Sequence, residues 1–548
     1  MNKALLRAPC GGSEEAILRI ALLQLQCNDL EQAEEGLRHA LEMVDEAGRR
    51  GVDLIVLPES TYPAYYLRGL REYQEAPLRP WPELVALFGE KARRYRTHIA
   101  AGIVQPGEAG EMPRNAAVLW GPDGQIIGTT AKSFLWHFDR CWFAGGTMYP
   151  VFDTALGRIG LMVCADGRMP EIARVMALRG AQMIVDVTAL VSGGGDRATL
   201  SNPQLEYMLP ARAMENGIWL LVANKVGLEA SSVLYCGGSC VIGPDGKKHA
   251  QASPDREEIV ECEIELDGGP ALPAARHPRA YELIAAPTDT LPIARILKEA
   301  VVPEETVVRV ALVQIHADRS MEAYLQRAAE LTDTAVRQDA RLVILPGELP
   351  AEAADNPEKA ALFQARLAEI SAQAGCGLAG VVEEYAGGAR YRTAMLWDKG
   401  SLVGKYRKVH TDGSGYAAGE SLPVFETRFG RLGFMLDQEA VLPEVPRCLM
   451  LEGADLVIWP AGRQDLPMRL LARARADESK VYLALGAAFG QGTALVNPAG
   501  AFLAAALPDV EQVIAGQVAW VTARYKEMAP STHVVWGRRP ETYKELIR

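Results

Sequence analysis

Apolar runs long enough to cross a bilayer are missing from these 548 residues. No window approaches the ~20 consecutive apolar residues that a membrane helix needs, so no membrane-spanning role is expected. Basic charge is also short. The 57 Lys and Arg stand against 69 Asp and Glu, leaving a formal net charge of −12 with no basic stripe, which excludes an ordinary nucleic-acid binder. Cysteine is sparse: nine residues, an odd number scattered without a framework, fit reduced thiols in cytoplasm better than a disulfide scaffold. Cys236 and Cys240 in CGGSC lack a second ligand pair nearby, and the eight histidines are dispersed, so no metal site is expected. Met1–Ser13 holds two basic residues but no apolar stretch before Glu14 and Glu15, unlike a secretion signal. The glycines of SGGGD (192–196) lack the Lys-Ser/Thr of a phosphate loop and read as a loop bordering a cleft.

What is present is an ordinary globular balance, with 49% hydrophobic and 23% charged residues, in a chain too long for one core. The chain also repeats itself. RIALLQ (19–24) returns as RVALVQ (309–314), and LIVLP (54–58) as LVILP (342–346). GRIGLMVCADGRMPE (157–171) returns as GRLGFMLDQEAVLPE (430–444), and HPRAYELI (277–284) as RRPETYKELI (538–547). Matches in one order mean a tandem duplication. The expected division is 1–285, a linker at 286–306 rich in prolines and acids, and 307–548.

Within the first unit, Ile20–Gln24, Asp53–Leu57, Ile159–Cys164 and Ala181–Val187 read as strands. Leu30–Arg49 and a segment from Pro170 to about Arg179 carry helical spacing. This alternation predicts an α/β layered fold.

Three residues at strand ends or after turns bear chemistry: Glu59 in LPES, Lys132 in GTTAKSFLWHFDR and Cys164 in LMVCADGRMPE. Each has a plain alternative when taken alone: a turn cap, a solvated loop lysine, a small core thiol. Together, with CADGRMPEIAR (164–174), ARAMENGIW (211–219), NKVGLE (224–229) and GGSCVIGPDG (237–246), they resemble the nitrilase (carbon–nitrogen hydrolase) superfamily, once per half. That resemblance implies two αββα sandwich units in one chain, packed as an intramolecular pseudo-dimer, and leaves a further homo-oligomer open. It implies Glu59 as general base, Lys132 as the cation that stabilises an oxyanion, and Cys164 as nucleophile, with no cofactor. The Lys132 charge and the helix start after Cys164 are expected to favour a thiolate.

The same resemblance places an ancillary acid at Asp139, one methylene shorter than the usual glutamate; the alternative is a salt bridge to Arg140. It puts an oxyanion-holding N–H at Ala165 and a substrate-carboxylate grip at Arg168. Otherwise Arg168 pairs with Asp166 or Glu171. Trp136, His137 and Trp142 are candidates to line the pocket, although tryptophans there serve core packing equally well. C-x-D-x-R-x-P-E looks like N-carbamoyl amino-acid hydrolases and aliphatic amidases, giving a small amide or carbamoyl substrate. PESTYPAYYLRG (58–69) looks like nitrilases, and an inert binding protein is the third reading. In the second half Lys408 keeps the lysine place, while Asp437 and Gly347 replace the cysteine and the glutamate. Glu348, one step along, is expected to face the other way. That half is therefore expected to be non-catalytic.

Overall fold

The computed structural model describes residues 17–108, 111–192, 199–266, 268–273, 276–300, 306–411 and 415–548. The Met1–Ser13 segment, the SGGGD glycines and part of the 286–306 segment lie outside the described residues.

The first unit opens on strand Ile17–Gln26, which pairs in parallel with Leu54–Val56 and antiparallel with Glu258–Glu265. His98–Gln105, Arg114–Trp120 and Ile126–Ala131 extend the sheet on one side, Lys225–Glu229 and Val233–Cys236 on the other. Both faces of its central strands are buried, so Ile17–Gln26, Leu54–Val56 and His98–Gln105 are largely apolar, whereas Glu258–Glu265 alternates. Ala21, Leu23 and Leu25 face helices Ala33–Arg49 and Trp81–Tyr95. These helices offer Leu37, Ala40, Val44 and Ala47, and Leu84, Phe88 and Ala92, at one-face spacing. Ile20 and Leu22, on the opposite face, meet Ile159 and Leu161 of a second sheet. That sheet runs Lys248–Gln251, Cys240–Ile242, Trp219–Ala223, Met183–Val187, Gly157–Val163, Val151–Thr154. Helices Pro170–Leu178 and Leu209–Asn216 cover its far side and complete the αββα order.

The second unit repeats the plan. Val307–Gln314 pairs with Leu342–Ile344 and Gln512–Ala519, and Gly430–Phe434, Leu456–Pro460 and Tyr482–Gly486 run in parallel in a second sheet. The repeat seen in the sequence is thus a repeat of sheet–helix units.

The helices after Cys164 and Asp437 face each other through reciprocal ion pairs. Arg174 Nε lies 3.1 Å from Glu444, and Arg447 Nε lies 2.8 Å from Glu171. Arg475 NH2 meets Glu215 at 2.6 Å, and Arg212 pairs with Glu478 in return. These residues occupy matching places in PEIAR/PEVPR and ARAMEN/ARADES, so each contact is made twice with the units exchanged. The repeated tails also cross over. Tyr281 OH bonds His410 Nε2 of the second unit at 2.7 Å, whereas Tyr543 stacks on Tyr149 of the first and Thr542 Oγ1 donates to the Tyr149 hydroxyl at 3.2 Å. The 286–306 segment contains the helix Pro292–Glu299, with Ile293, Ala294 and Ile296 buried. Ile296 packs against Gly453, where a Cβ would stand 2.4 Å from Ile296 Cδ1.

Candidate active site

Glu59, Lys132 and Cys164 come from three strand ends and meet. Glu59 follows Leu54–Val56 by three residues, Lys132 follows Ile126–Ala131, and Cys164 follows Gly157–Val163. Lys132 Nζ donates to Glu59 Oε1 at 2.8 Å, and both side chains are wholly buried. Close approach of the neighbouring strand makes room for Glu59. A Cβ on Gly102 would come within 2.4 Å of the Glu59 Cα, so glycine is required there.

Cys164 has φ +53°, a left-handed conformation that L side chains adopt at a cost of about 1–2 kcal/mol. Its backbone is held from both ends: its N–H donates to Asp186 Oδ1 at 2.8 Å, and its carbonyl accepts from Gln204 Nε2 at 2.8 Å. The strained residue thereby turns its sulfur off the sheet toward Glu59 and Lys132. Ala165 follows in the short turn Cys164–Arg168, among the first N–H groups, which have no acceptor within the turn.

Asp139 belongs to this cluster. Its Oδ2 lies 2.8 Å from Lys132 Nζ and accepts the Trp136 N–H at 2.8 Å, and it forms no ion pair with Arg140. Starting the short helix Asp139–Trp142 brings the shorter acid to the lysine despite the missing methylene. Asn115 Nδ2 donates to Glu59 Oε1 at 2.6 Å. With Lys132 and Asn115 both on Oε1, Glu59 Oε2 has no hydrogen-bond partner among the described residues and is the oxygen free to take a proton.

The electrostatics correct one expectation. Burial first, then the adjacent Glu59 carboxylate, push the Cys164 thiol well up, and Lys132 only partly opposes them. Desolvation and like charge outweigh the one ammonium, and the balance favours the thiol over the thiolate. Burial pulls the Lys132 ammonium down, but Asp139 first, then Cys164 in its ionised form and Glu59, hold it well above its usual range. Asp139 is raised by burial and by the charge of Glu59, against the pull of Lys132. Such a set can pass a thiol proton to a carboxylate as the sulfur attacks, with a fixed cation beside the developing charge.

Arg168 pairs with neither Asp166 nor Glu171. Asp166 is taken by Ser133 and by the Phe134 N–H at 2.8 Å, and Glu171 by Arg447. Instead the Arg168 Nε donates to Gln204 Oε1 at 3.0 Å, and its guanidinium lies 4.4 Å over the Trp136 ring. No carboxylate among the described residues lies within ion-pair distance of it. Trp142 is 3% exposed and packs with Tyr66 and Phe138, so it serves the core. His137 is half-buried with φ +46°. Sequence reasoning missed Asn115, Gln204 and Tyr65, whose ring lies 5.6 Å from Lys132 Nζ. None carries a local signature, because their partners are remote in the chain.

The matching place in the second unit is filled by an ion pair. Asp437 copies the Cys164 backbone, at φ +51°. Arg392 takes the station of Asn115: Lys408 N–H donates to Arg392 O at 2.9 Å, as Lys132 N–H does to Asn115 O at 2.8 Å. From there Arg392 Nε reaches Asp437 Oδ2 at 2.6 Å, and Lys408 Nζ lies 3.2 Å from the same oxygen. Burial raises the Asp437 carboxyl, but Arg392 and Lys408 outweigh it and hold it below the usual range. A Cβ on Gly347 would stand 2.6 Å from the Ala461 backbone, leaving no room for a side chain. Glu348 lies in the loop after its strand and pairs with Arg463 at 3.4 Å.

Among the described residues no helix is long and apolar enough to cross a membrane. The nitrilase from Pyrococcus abyssi (strain GE5 / Orsay) is 30% identical over 252 residues, 46% of this chain and 90% of that protein. Omega-amidase NIT2 from Bos taurus is 28% identical over 260 residues, 46% of this chain and 90% of its own. The crystal structure of an amidase from Nesterenkonia sp. aligns with a TM-score of 0.39 at 25% identity, covering 46% of this chain and 91% of that one. The carbon-nitrogen hydrolase family pattern matches residues 19–272 and again 309–525, so the chain belongs to the carbon-nitrogen hydrolase family, as a tandem duplicate.

Proposed function

We propose that the first unit hydrolyses the C–N bond of a small amide or N-carbamoyl substrate that also carries a carboxylate, through a thioester on Cys164. The observation that carries this reading is the meeting of Glu59, Lys132 and Cys164 in one buried cluster, with the Glu59 Oε2 oxygen unengaged. Sulfur attacks the carbonyl carbon while its proton passes to Glu59. The carbonyl oxygen becomes an oxyanion held by Lys132 and the Ala165 N–H. Collapse expels ammonia or amine, which leaves with the proton from Glu59, and the acyl group stays on sulfur. Water then attacks the thioester, again giving its proton to Glu59, and the acid departs as the thiol re-forms. Asp139 holds Lys132 in line. Arg168, stacked on Trp136 and coupled to Asp477 only from beyond ion-pair distance, grips the substrate carboxylate.

The second unit is non-catalytic in this reading, and serves as a built-in dimer partner through the reciprocal arginine–glutamate contacts. The similarity to the Pyrococcus abyssi nitrilase favours nitrile hydrolysis as a second reading.

The test is ammonia release from succinamate, butyramide, N-carbamoyl amino acids and the matching nitriles, with Cys164→Ala beside the wild type. Turnover of succinamate or a carbamoyl amino acid, lost in Cys164→Ala, is expected. Turnover of nitriles alone, or activity that survives Cys164→Ala, overturns the proposal.

A further inference from the structure

The loop carrying Lys132 and Asp139 is not held by the first unit alone. Asp139 N–H donates to Trp136 O at 2.9 Å, closing a tight turn with His137 and Phe138 at its centre. His137 takes φ +46° at the first central position, which glycine fills without strain and histidine does not. The turn must be this tight for the Trp136 N–H to reach Asp139 Oδ2, the oxygen that also holds Lys132 Nζ at 2.8 Å. The His137 N–H points out of the turn and donates to Thr532 Oγ1 of the second unit at 2.8 Å. Thr532 is fully buried. The chain around it closes on the same loop: Val534 and Val535 share a core with Phe134, and a Cβ on Gly537 would stand 2.8 Å from the Phe134 ring.

We propose that Thr532, from the unit without a nucleophile, is a positioning residue for the first unit's site. Its hydroxyl holds His137 in the strained conformation and so keeps Asp139 against Lys132. This rests on the roles given above to Lys132 and Asp139. It makes the second unit part of the site's geometry rather than only a partner surface.

The experiment compares full-length Thr532→Val, which keeps shape but removes the acceptor, with Thr532→Ser, which keeps it. Two readouts are taken: alkylation of Cys164 by iodoacetamide, which needs no substrate, and kcat and KM for succinamate. In Thr532→Val both alkylation and kcat are expected to fall about tenfold, the equivalent of one buried hydrogen bond, with KM within about twofold. Thr532→Ser is expected to stay within about twofold of wild type, and adding His137→Gly to Thr532→Val is expected to recover alkylation, because glycine needs no outside hold. Wild-type alkylation in Thr532→Val, or equal loss in Thr532→Ser, overturns the inference. If Thr532→Val fails to fold, loss in the soluble Thr532→Ser variant alone overturns it, and wild-type behaviour there with recovery in the His137→Gly double variant supports it. Alkylation that responds as expected in an enzyme with no Cys164-dependent turnover keeps the inference and discards the proposed function.

Discussion

Replacing Glu59 by Gln is expected to make Cys164 more reactive toward an alkylating agent and yet abolish amide hydrolysis. The sulfur's proton is held by burial first and by the Glu59 carboxylate second, with Lys132 opposing. Gln removes the like charge and leaves the ammonium that draws Lys132 and Glu59 together at 2.8 Å. Two unit charges about 4 Å apart interact by about 4 kcal/mol at an effective dielectric of about 20. Even a third of that, about 1.4 kcal/mol, is tenfold in thiolate population. At about pH 8, where the thiolate is a minor species, iodoacetamide should therefore label Cys164 at least about tenfold faster in Glu59→Gln than in wild type. Hydrolysis has the opposite dependence, because the proposed mechanism uses the carboxylate as the base, and turnover should fall by about 10²–10⁴. Intact-mass spectrometry against pH, with Cys164→Ala to subtract the other thiols, measures the first effect, and ammonia release the second. Alkylation that is unchanged or slower in Glu59→Gln would refute the charge argument.

Arg168→Ala is expected to raise KM for succinamate about tenfold or more while leaving butyramide, which replaces the carboxylate with a methyl group, within about twofold; steady-state kinetics on the pair checks it. Placing a cysteine in the second unit, as Asp437→Cys with Cys164→Ala, should release no ammonia, because Gly347 offers no base and its position no space for one. The same change removes the nearer of the two carboxylates on Arg392, leaving Glu383 at 3.7 Å, and should lower stability by about 1–3 kcal/mol, read from chemical denaturation. Between the units, burial raises the Glu444 and Glu478 carboxyls, but Arg174 acts on the first and Arg212 on the second to hold both below the usual carboxylate range. Depressed folded-state values stabilise above the unfolded pKa of about 4.3 and are lost as pH falls below it. Melting temperature should therefore drop on acidification below about pH 4. Glu478→Gln should be less stable than wild type at neutral pH and lose less of its stability on acidification.

Much of the site was legible because its chemistry sits at strand ends, where apolar runs stop abruptly. Glu59 and Cys164 follow such runs and Lys132 follows the polar GTTA end of its strand, and the repeated words showed which of them the second half lacks. The strand positions were legible for the same reason: a sheet buried on both faces must be built from unbroken apolar segments. The helix inside 286–306 was hidden, because Pro292 reads as a linker residue until the chain places it in the first turn of Pro292–Glu299.

The sequence alone determined the duplication and the layered α/β class, because these depend on residue type and local order, and its resemblance to the carbon–nitrogen hydrolases pointed to the three residues of the cluster. Which acid serves the lysine was decided in space, where Asp139 and Arg140 are neighbours in the chain but only Lys132 is within the carboxylate's reach. So were Asn115 on Glu59, Gln204 behind Cys164 and Arg168, and Thr532 on His137. The His137–Thr532 bond joins residues 395 positions apart. A hydrogen bond is felt only over about 3 Å, and no local pattern records which remote backbone group will arrive at that distance. The upward push on the Cys164 thiol is tertiary for the same reason: it follows from how much water the fold removes and which charges it brings near.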